Sequence, residues 1–311
     1  AFKSRYIIAI RGLVNADEQL IPASDMQQLL LKPEAPVDAS QETTARWEHY
    51  RDVIIPALTS AGWNLGEVQL VFDVVTTSRA SSLGRMEQMR DMTVGANTQN
   101  YKVIKVEDED CTVAGTKIAR TIWGTAEVPY FLNTPWRGSA LPRDGDGRAR
   151  VVQTGTYWNQ FLIRIPCSVA NAGNATMLME YGHGLLGSRA EAQAGHLSRL
   201  AHENGYIIMA TDWYGMAKFD YLLVARILLS DISNFVTIPE SLMQGFAMKS
   251  ATLRTVMGRF SADESLVING KNVMDGLVKV GYYGISQGGG KFTYSPRSLT
   301  RSDWWRICCT V

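Results

Sequence analysis

Apolar positions along the chain recur in two rhythms, alternating and helical, and these divide it into segments. Tyr6–Ile10 predicts a strand, followed by a polar turn and a second short extended piece. Residues 35–44 are rich in proline, serine and charge and predict a loop. Thr43–Gly62 carries apolar residues at helical spacing and stops at Gly62, a suitable C-cap. Val68–Ser78 is β-branched and predicts a strand. A short helix near Leu83–Met92 comes next, then strands around Tyr101–Val106 and Lys117–Trp123. Leu141–Val152 predicts a hairpin turn. Its D-x-D-G is similar to the start of a calcium loop but lacks the downstream bidentate acid. Asp and Gly favour such turns for backbone reasons alone.

From Phe161 the rhythm changes. "FLIRIP" and Ala175–Gly182 predict strands, and "GHGLLG" (Gly182–Gly187) forms a glycine-rich loop. Ser188-Arg189-Ala190-Glu191 then has the S-x-x-E spacing of a capping box. The helix it opens would present Leu197, Leu200 and Ala201 on one face and end at Asn204-Gly205. Tyr206–Thr211 follows as a strand, so this segment predicts a βαβ unit with parallel strands. Pro239–Phe260 is a long helical stretch, and Leu277–Tyr283 predicts a buried apolar strand running into Ser286.

Composition narrows the picture. The 311 residues, 46% hydrophobic and 20% charged, suffice for one large domain or two ordinary ones with a substantial core. A net charge of +1 argues against a nucleic-acid partner. Cys111 and Cys167 are isolated and Cys308 and Cys309 adjacent, so neither zinc spacing nor a disulfide framework is legible. The longest apolar run, Tyr221–Leu229, is too short for a membrane span and contains Arg226, so no transmembrane segment is expected. No signal peptide is visible, and the start at Ala1 rather than Met suits a mature or excised product.

The candidate chemistry lies in two glycine-rich turns. Gly284-Ile285-Ser286-Gln287-Gly288 spells G-x-S-x-G, in which glycines flank a nucleophilic serine held in a strained backbone. Acyl transfer also needs two backbone N–H groups aimed at the developing oxyanion; losing one such donor costs on the order of 3 kcal/mol in barrier. In "YGHGLLGS" the glycine-flanked turn at Gly184 leaves amides uncovered, so the N–H of Leu185 would pair with that of Gln287. His183 would then hold the loop in shape. Asp212 ends a predicted parallel strand, where sites gather in open sheets, yet equally suits a cap. A loop serine with no role is the plain alternative for Ser286. His196 and His202 are six residues apart and share no helix face, His49 has charged neighbours, and no residue set implies a metal or cofactor.

These motifs, with "RYIIAIRGL", "TTS", "LPRDGDG", "ATDWYGM" and "YYGISQGG", resemble successive landmarks of bacterial secreted or surface-anchored lipase-like α/β-hydrolases, over nearly the whole chain to Gly289. The resemblance implies an α/β-hydrolase-like, mostly parallel sheet. Residues 1–78 would be a partial immunoglobulin-like β segment with one helix, and residues 79–311 an incomplete hydrolase domain. It further implies Ser286 as nucleophile, Leu185 and Gln287 as oxyanion hole, and a secreted or cell-surface location.

The family pattern departs at the carboxyl end. An acid and a histidine should follow the serine, but Asp303 is the only acid beyond it and the last histidine is His202. Read one nucleotide later, Thr300–Thr310 becomes P-D-L-T-G-G-V-F-V-V-P with ordinary codon choices. We therefore expect a truncated hydrolase whose residues 291–311 are out of frame, with an exposed sheet edge that favours self-association. Two functions stay open: a serine hydrolase of small-molecule or lipid carboxylic esters, or an inactive remnant serving as scaffold or binding module. Leu185, Leu186, Trp213, Tyr214 and Met216 would suit an acyl chain, or equally belong to the core.

Overall fold

The structure, a computed structural model, describes residues 1–96, 99–289, 291–292 and 307–308. Chain contacts divide it into two units, Ala1–Gly84 and Arg85–Val311. Apart from its short antiparallel pair, 291–292 with 307–308, the tail expected to be out of frame lies outside the described residues.

In the first unit β1 (Arg5–Ile10) pairs antiparallel with β2 (Leu70–Val75). A short helix, α1 (Asp25–Leu30), lies between them in the chain, with Ser24 capping the Gln27 N–H. The expected helix over 43–62 is interrupted: α2 (Gln41–His49) passes through a π-helical turn, Tyr50–Ile54, into α3 (Ile55–Ser60). Pro56 has no N–H to return to Asp52, so the ladder widens one turn before it. Trp47, Tyr50, Ile54 and Leu58 keep one face through the change and bury against Val68 and Val71. The pairs Tyr6–Val74 and Ile8–Phe72, on the other face of the ribbon, remain exposed.

The division between Gly84 and Arg85 falls within α4 (Arg79–Gly95), which is longer than the predicted short helix. The centre of the second unit is a sheet built from β3 (Tyr101–Asp108), β4 (Ile118–Tyr130), β5 (Gly155–Pro166), β6 (Met177–Gly182), β7 (Tyr206–Thr211) and β10 (Val280–Gly284). The hairpin β8 (Val267–Ile268) and β9 (Lys271–Asn272) stands apart from it. The order is β10-β6-β7-β5-β4-β3. Only β10–β6 and β6–β7 are parallel; the other three pairings are antiparallel. The expectation of a mostly parallel sheet is thus corrected to a mixed α/β sheet. β3, β4 and β5 are joined by loops without a crossover helix, and such connections return a strand antiparallel.

Both faces of this sheet are covered. Phe161, Ile163, Ile207 and Met209 point to α8 (Thr237–Met257), which buries Ala247, Met248, Ala251 and Val256 against them. The alternate residues Leu162, Ile208 and Ala210 meet Leu197 and Ala201 of α6 (Gly195–Asn204), the predicted crossover helix. α6 ends at Gly205, whose φ of 68° supplies the left-handed C-cap. The remaining helices are α5 (Cys167–Ala172) and α7 (Tyr221–Ser230). A disulfide joins Cys111 to Cys167 across a separation of 56 residues. Spacing could not disclose it, because the β4–β5 pairing is what brings the two cysteines together. No helix among the described residues is long and apolar enough to cross a membrane.

Candidate active site

The parallel strands grow outward from β6, with β7 on one flank and β10 on the other. Their carboxyl ends near β6 are therefore where a crevice forms in an open α/β sheet. Gly182 and Gly284 are register partners at those ends, and the Ile285 N–H donates to the Gly182 carbonyl at 3.2 Å. Two residues beyond this pair, each chain reaches its candidate: Gly184 on one side and Ser286 on the other.

Ser286 has φ of +51°, a left-handed conformation that non-glycine residues adopt at a cost of about 1–3 kcal/mol. It opens a 3₁₀ turn, Ser286–Gly289, directly after β10. A β-carbon at Gly184 would lie 3.7 Å from Ser286 Cβ, so the two glycine-rich turns are neighbours. One at Gly284 would collide with the Gly288 carbonyl oxygen, and one at Gly288 with the carbonyl oxygens of Gly182 and His183. The flanking glycines are thus required by close backbone approach. The Tyr282 hydroxyl fastens the turn from below by donating to the Gly288 carbonyl.

The opposing loop is held from three sides. Gly187 N–H donates to the Gly184 carbonyl, leaving Leu185 and Leu186 at the tip with Leu186 at φ of +55°. Leu186 N–H donates to the Met216 carbonyl and Lys218 N–H to the Gly187 carbonyl. His183 is buried: Trp213 N–H donates to its Nε2 at 2.8 Å, so Nδ1 carries the proton and donates to the Gly184 carbonyl at 2.7 Å. With both ring nitrogens engaged, this imidazole holds the loop, and neither nitrogen is left to accept a serine proton.

The expected capping box is not formed, since the Ser188 side chain caps no N–H. Glu191 turns back instead: its Oε2 accepts from the Gly184 N–H at 3.2 Å and the Tyr181 hydroxyl at 3.0 Å. A 3₁₀ segment, Arg189–Gln193, therefore precedes α6. Asp212 accepts the Arg189 N–H at 2.8 Å and pairs with the Arg189 guanidinium, which makes it an anchor for that segment rather than for the one following β7. Trp213, Tyr214 and Met216 are buried in the core, while Leu185 is exposed.

Leu185 and Gln287 donate their backbone N–H groups to no described residue. The Ser286 hydroxyl makes no hydrogen bond among the described residues, so no described imidazole serves it. His196 and His202 are on α6, where His202 Nδ1 accepts the Ser168 N–H at 3.3 Å. His49 belongs to the first unit and meets Asp73. The lead-in strand is also less covered than expected. β10 is half-buried, with Val278 before it 71% exposed, because no further strand pairs with its outer edge among the described residues. No cluster of three or more His, Cys, Asp or Glu among the described residues could hold a metal.

Beneath the site lies a buried charged pair that periodicity did not disclose. Lys249 of α8 places Nζ 3.6 Å from Glu180 Oε2 on β6 and 3.9 Å from the centre of the Tyr282 ring. Burial pushes the Glu180 carboxyl above its ordinary value and the Lys249 ammonium below its own, each opposed by the partner's charge. Burial likewise pushes the Tyr282 phenol upward.

No protein-family model and no curated protein matches the chain. Among solved structures it is similar to the crystal structure of acetyl xylan esterase 1 from Thermoanaerobacterium sp. JW/SL YS485. That likeness has a TM-score of 0.30 and 14% identity and covers 67% of this chain and 51% of that one. The chain thus spans about half the length of that structure. A likeness of this size carries no argument about activity, which rests on the geometry.

Proposed function

We propose that the protein is a serine hydrolase of carboxylic esters, in an α/β-hydrolase-like domain with Ser286 as nucleophile. The observation that carries this reading is the left-handed Ser286 at the tip of a parallel strand, with Gly184 packed beside it. Ser286 Oγ attacks the ester carbonyl carbon, and the backbone N–H groups of Leu185 and Gln287 receive the oxyanion. The alcohol departs with the proton that the Ser286 hydroxyl gives up, and water then releases the acid from the acyl-serine, returning a proton to Ser286 Oγ. The exposed Leu185 offers an apolar contact for the acyl group. The Cys111–Cys167 disulfide supports a secreted or cell-surface location.

A second reading has its own observation. The Ser286 hydroxyl lacks an imidazole among the described residues, which favours a binding module or scaffold that retains the turn without turnover. A fluorophosphonate probe separates the two. Labelling that disappears in Ser286→Ala supports the hydrolase, whereas folded protein that takes up no label favours the binding module. We also propose self-association through the outer edge of β10; a sharply monomeric species in solution scattering would contradict it.

A further inference from the structure

Away from the Ser286 turn, the loop of residues 109–117 faces the start of α6 across a depression of about 540 Å³. Glu109, Lys117, Arg164, Gly195, Ser198 and Arg199 line it. One wall is fixed by the Cys111–Cys167 disulfide and by the Cys167 N–H, which donates to the Lys117 carbonyl.

Arg164 stands on β5, on the α6 face of the sheet, and is only 7% exposed. Its Nη1 donates to the Ser198 hydroxyl at 2.8 Å and the Ala192 carbonyl at 3.3 Å. Buried Nε has no partner, and Nη2 makes no hydrogen bond to the described residues. No carboxylate among the described residues stands within ion-pair distance. Glu109 on the rim acts on the guanidinium only at longer range, while burial pushes it below its ordinary value. A buried cation left in this state is costly to keep unless an anion completes it.

The start of α6 adds donors at the same place. Leu197 and Ser198 N–H turn back to the Ala194 carbonyl, whereas those of Gly195 and His196 donate to no described residue, and no side chain caps the helix. Unmet N–H groups and the positive end of the helix dipole favour an anion there. Lys117 and Arg199 outnumber Glu109 on the rim.

We propose that this depression is an oxyanion-binding site, built for phosphate or sulfate, free or as a monoester, with Arg164 as its buried anchor and the first turn of α6 as its floor. It shares no residue with the Ser286 site and stands whether or not that site turns over esters.

The test is calorimetric titration of the full chain, disulfide intact, with inorganic phosphate, sulfate and glycerol phosphate at ionic strength matched by chloride. Saturable phosphate binding is expected, along with a rise in Tm that chloride does not give. Saturation by glycerol phosphate identifies an esterified ligand, and saturation by the inorganic anions alone a free one. Arg164→Met should abolish binding. Because that buried variant risks misfolding, the surface pair Lys117→Ala/Arg199→Ala should weaken phosphate binding roughly tenfold, and Glu109→Gln should tighten it. Equal effects of phosphate and chloride on the wild-type protein would overturn the site, as would unchanged phosphate affinity in the Lys117→Ala/Arg199→Ala variant.

Discussion

The backbone N–H of Trp213 donates to Nε2 of His183 at 2.8 Å, tying the segment after β7 to the loop after β6. This bond settles the tautomer of the ring and with it the residue's role. A backbone amide only donates, so Nε2 is bare, and the proton on Nδ1 goes to the Gly184 carbonyl. His183→Ala would leave the buried Trp213 N–H without its partner, while the Gly184 carbonyl would keep only the Gly187 N–H. An orphaned buried donor costs about 1–3 kcal/mol. We expect a lowered Tm in thermal denaturation and slower Ser286 labelling. Unchanged stability would show that the loop is held by something else.

The glycines of the serine turn differ in what surrounds them, and substitution reads that difference. Alanine at Gly288 would meet two carbonyl oxygens, whereas at Gly289 the nearest atom is the Gly284 oxygen at 3.6 Å, an ordinary contact. Overpacking of the first kind costs about 1–3 kcal/mol or more. Gly288→Ala should therefore lower the urea midpoint and abolish probe labelling, while Gly289→Ala leaves both near wild type. Equal tolerance at the two positions would refute the close approach of the turns.

The buried pair Glu180–Lys249 predicts a pH effect of definite sign. Removing one partner leaves an uncompensated charge, a loss of about 3–5 kcal/mol, whereas removing both is far milder. In Lys249→Met the Glu180 carboxyl loses its opposing cation, so burial raises it further. The folded variant then binds a proton that the unfolded chain has released. Its stability should be highest below the ordinary carboxyl value and fall as pH rises towards the raised folded value. Urea unfolding across about pH 4–7 checks the slope. Glu180→Gln/Lys249→Met should abolish it.

Reduction offers a further measurement. Opening the Cys111–Cys167 disulfide, which links residues 56 apart in the chain, should cost about 2–4 kcal/mol, whether by a reductant or in Cys111→Ser/Cys167→Ser. Identical unfolding midpoints with and without reductant would mean that the link contributes nothing.

Much of this organisation was legible in linear order. Helical spacing marked the apolar residues of Thr43–Gly62 and the face carrying Leu197, Leu200 and Ala201, because a helix face recurs at fixed intervals whatever lies opposite it. Short apolar runs marked the strands ending at Gly182 and Thr211. The glycines around Ser286 and Gly184 pointed to two tight turns, because few other residues permit such backbone approach. Glu191 was visible too, but as a helix cap: spacing displays a carboxylate and a nearby amide without saying which amide it reaches.

Local pattern therefore determined which segments become helix, strand or turn, since propensity and periodicity act between near neighbours. Contacts between distant segments belonged to the tertiary structure alone. Strand direction in the mixed sheet, the union of Cys111 with Cys167, the locked ring of His183 and the Lys249–Glu180 pair all depend on which strand lies beside which. That choice is made by packing the whole core, where a residue's partner is set by three-dimensional neighbourhood rather than by its distance along the chain.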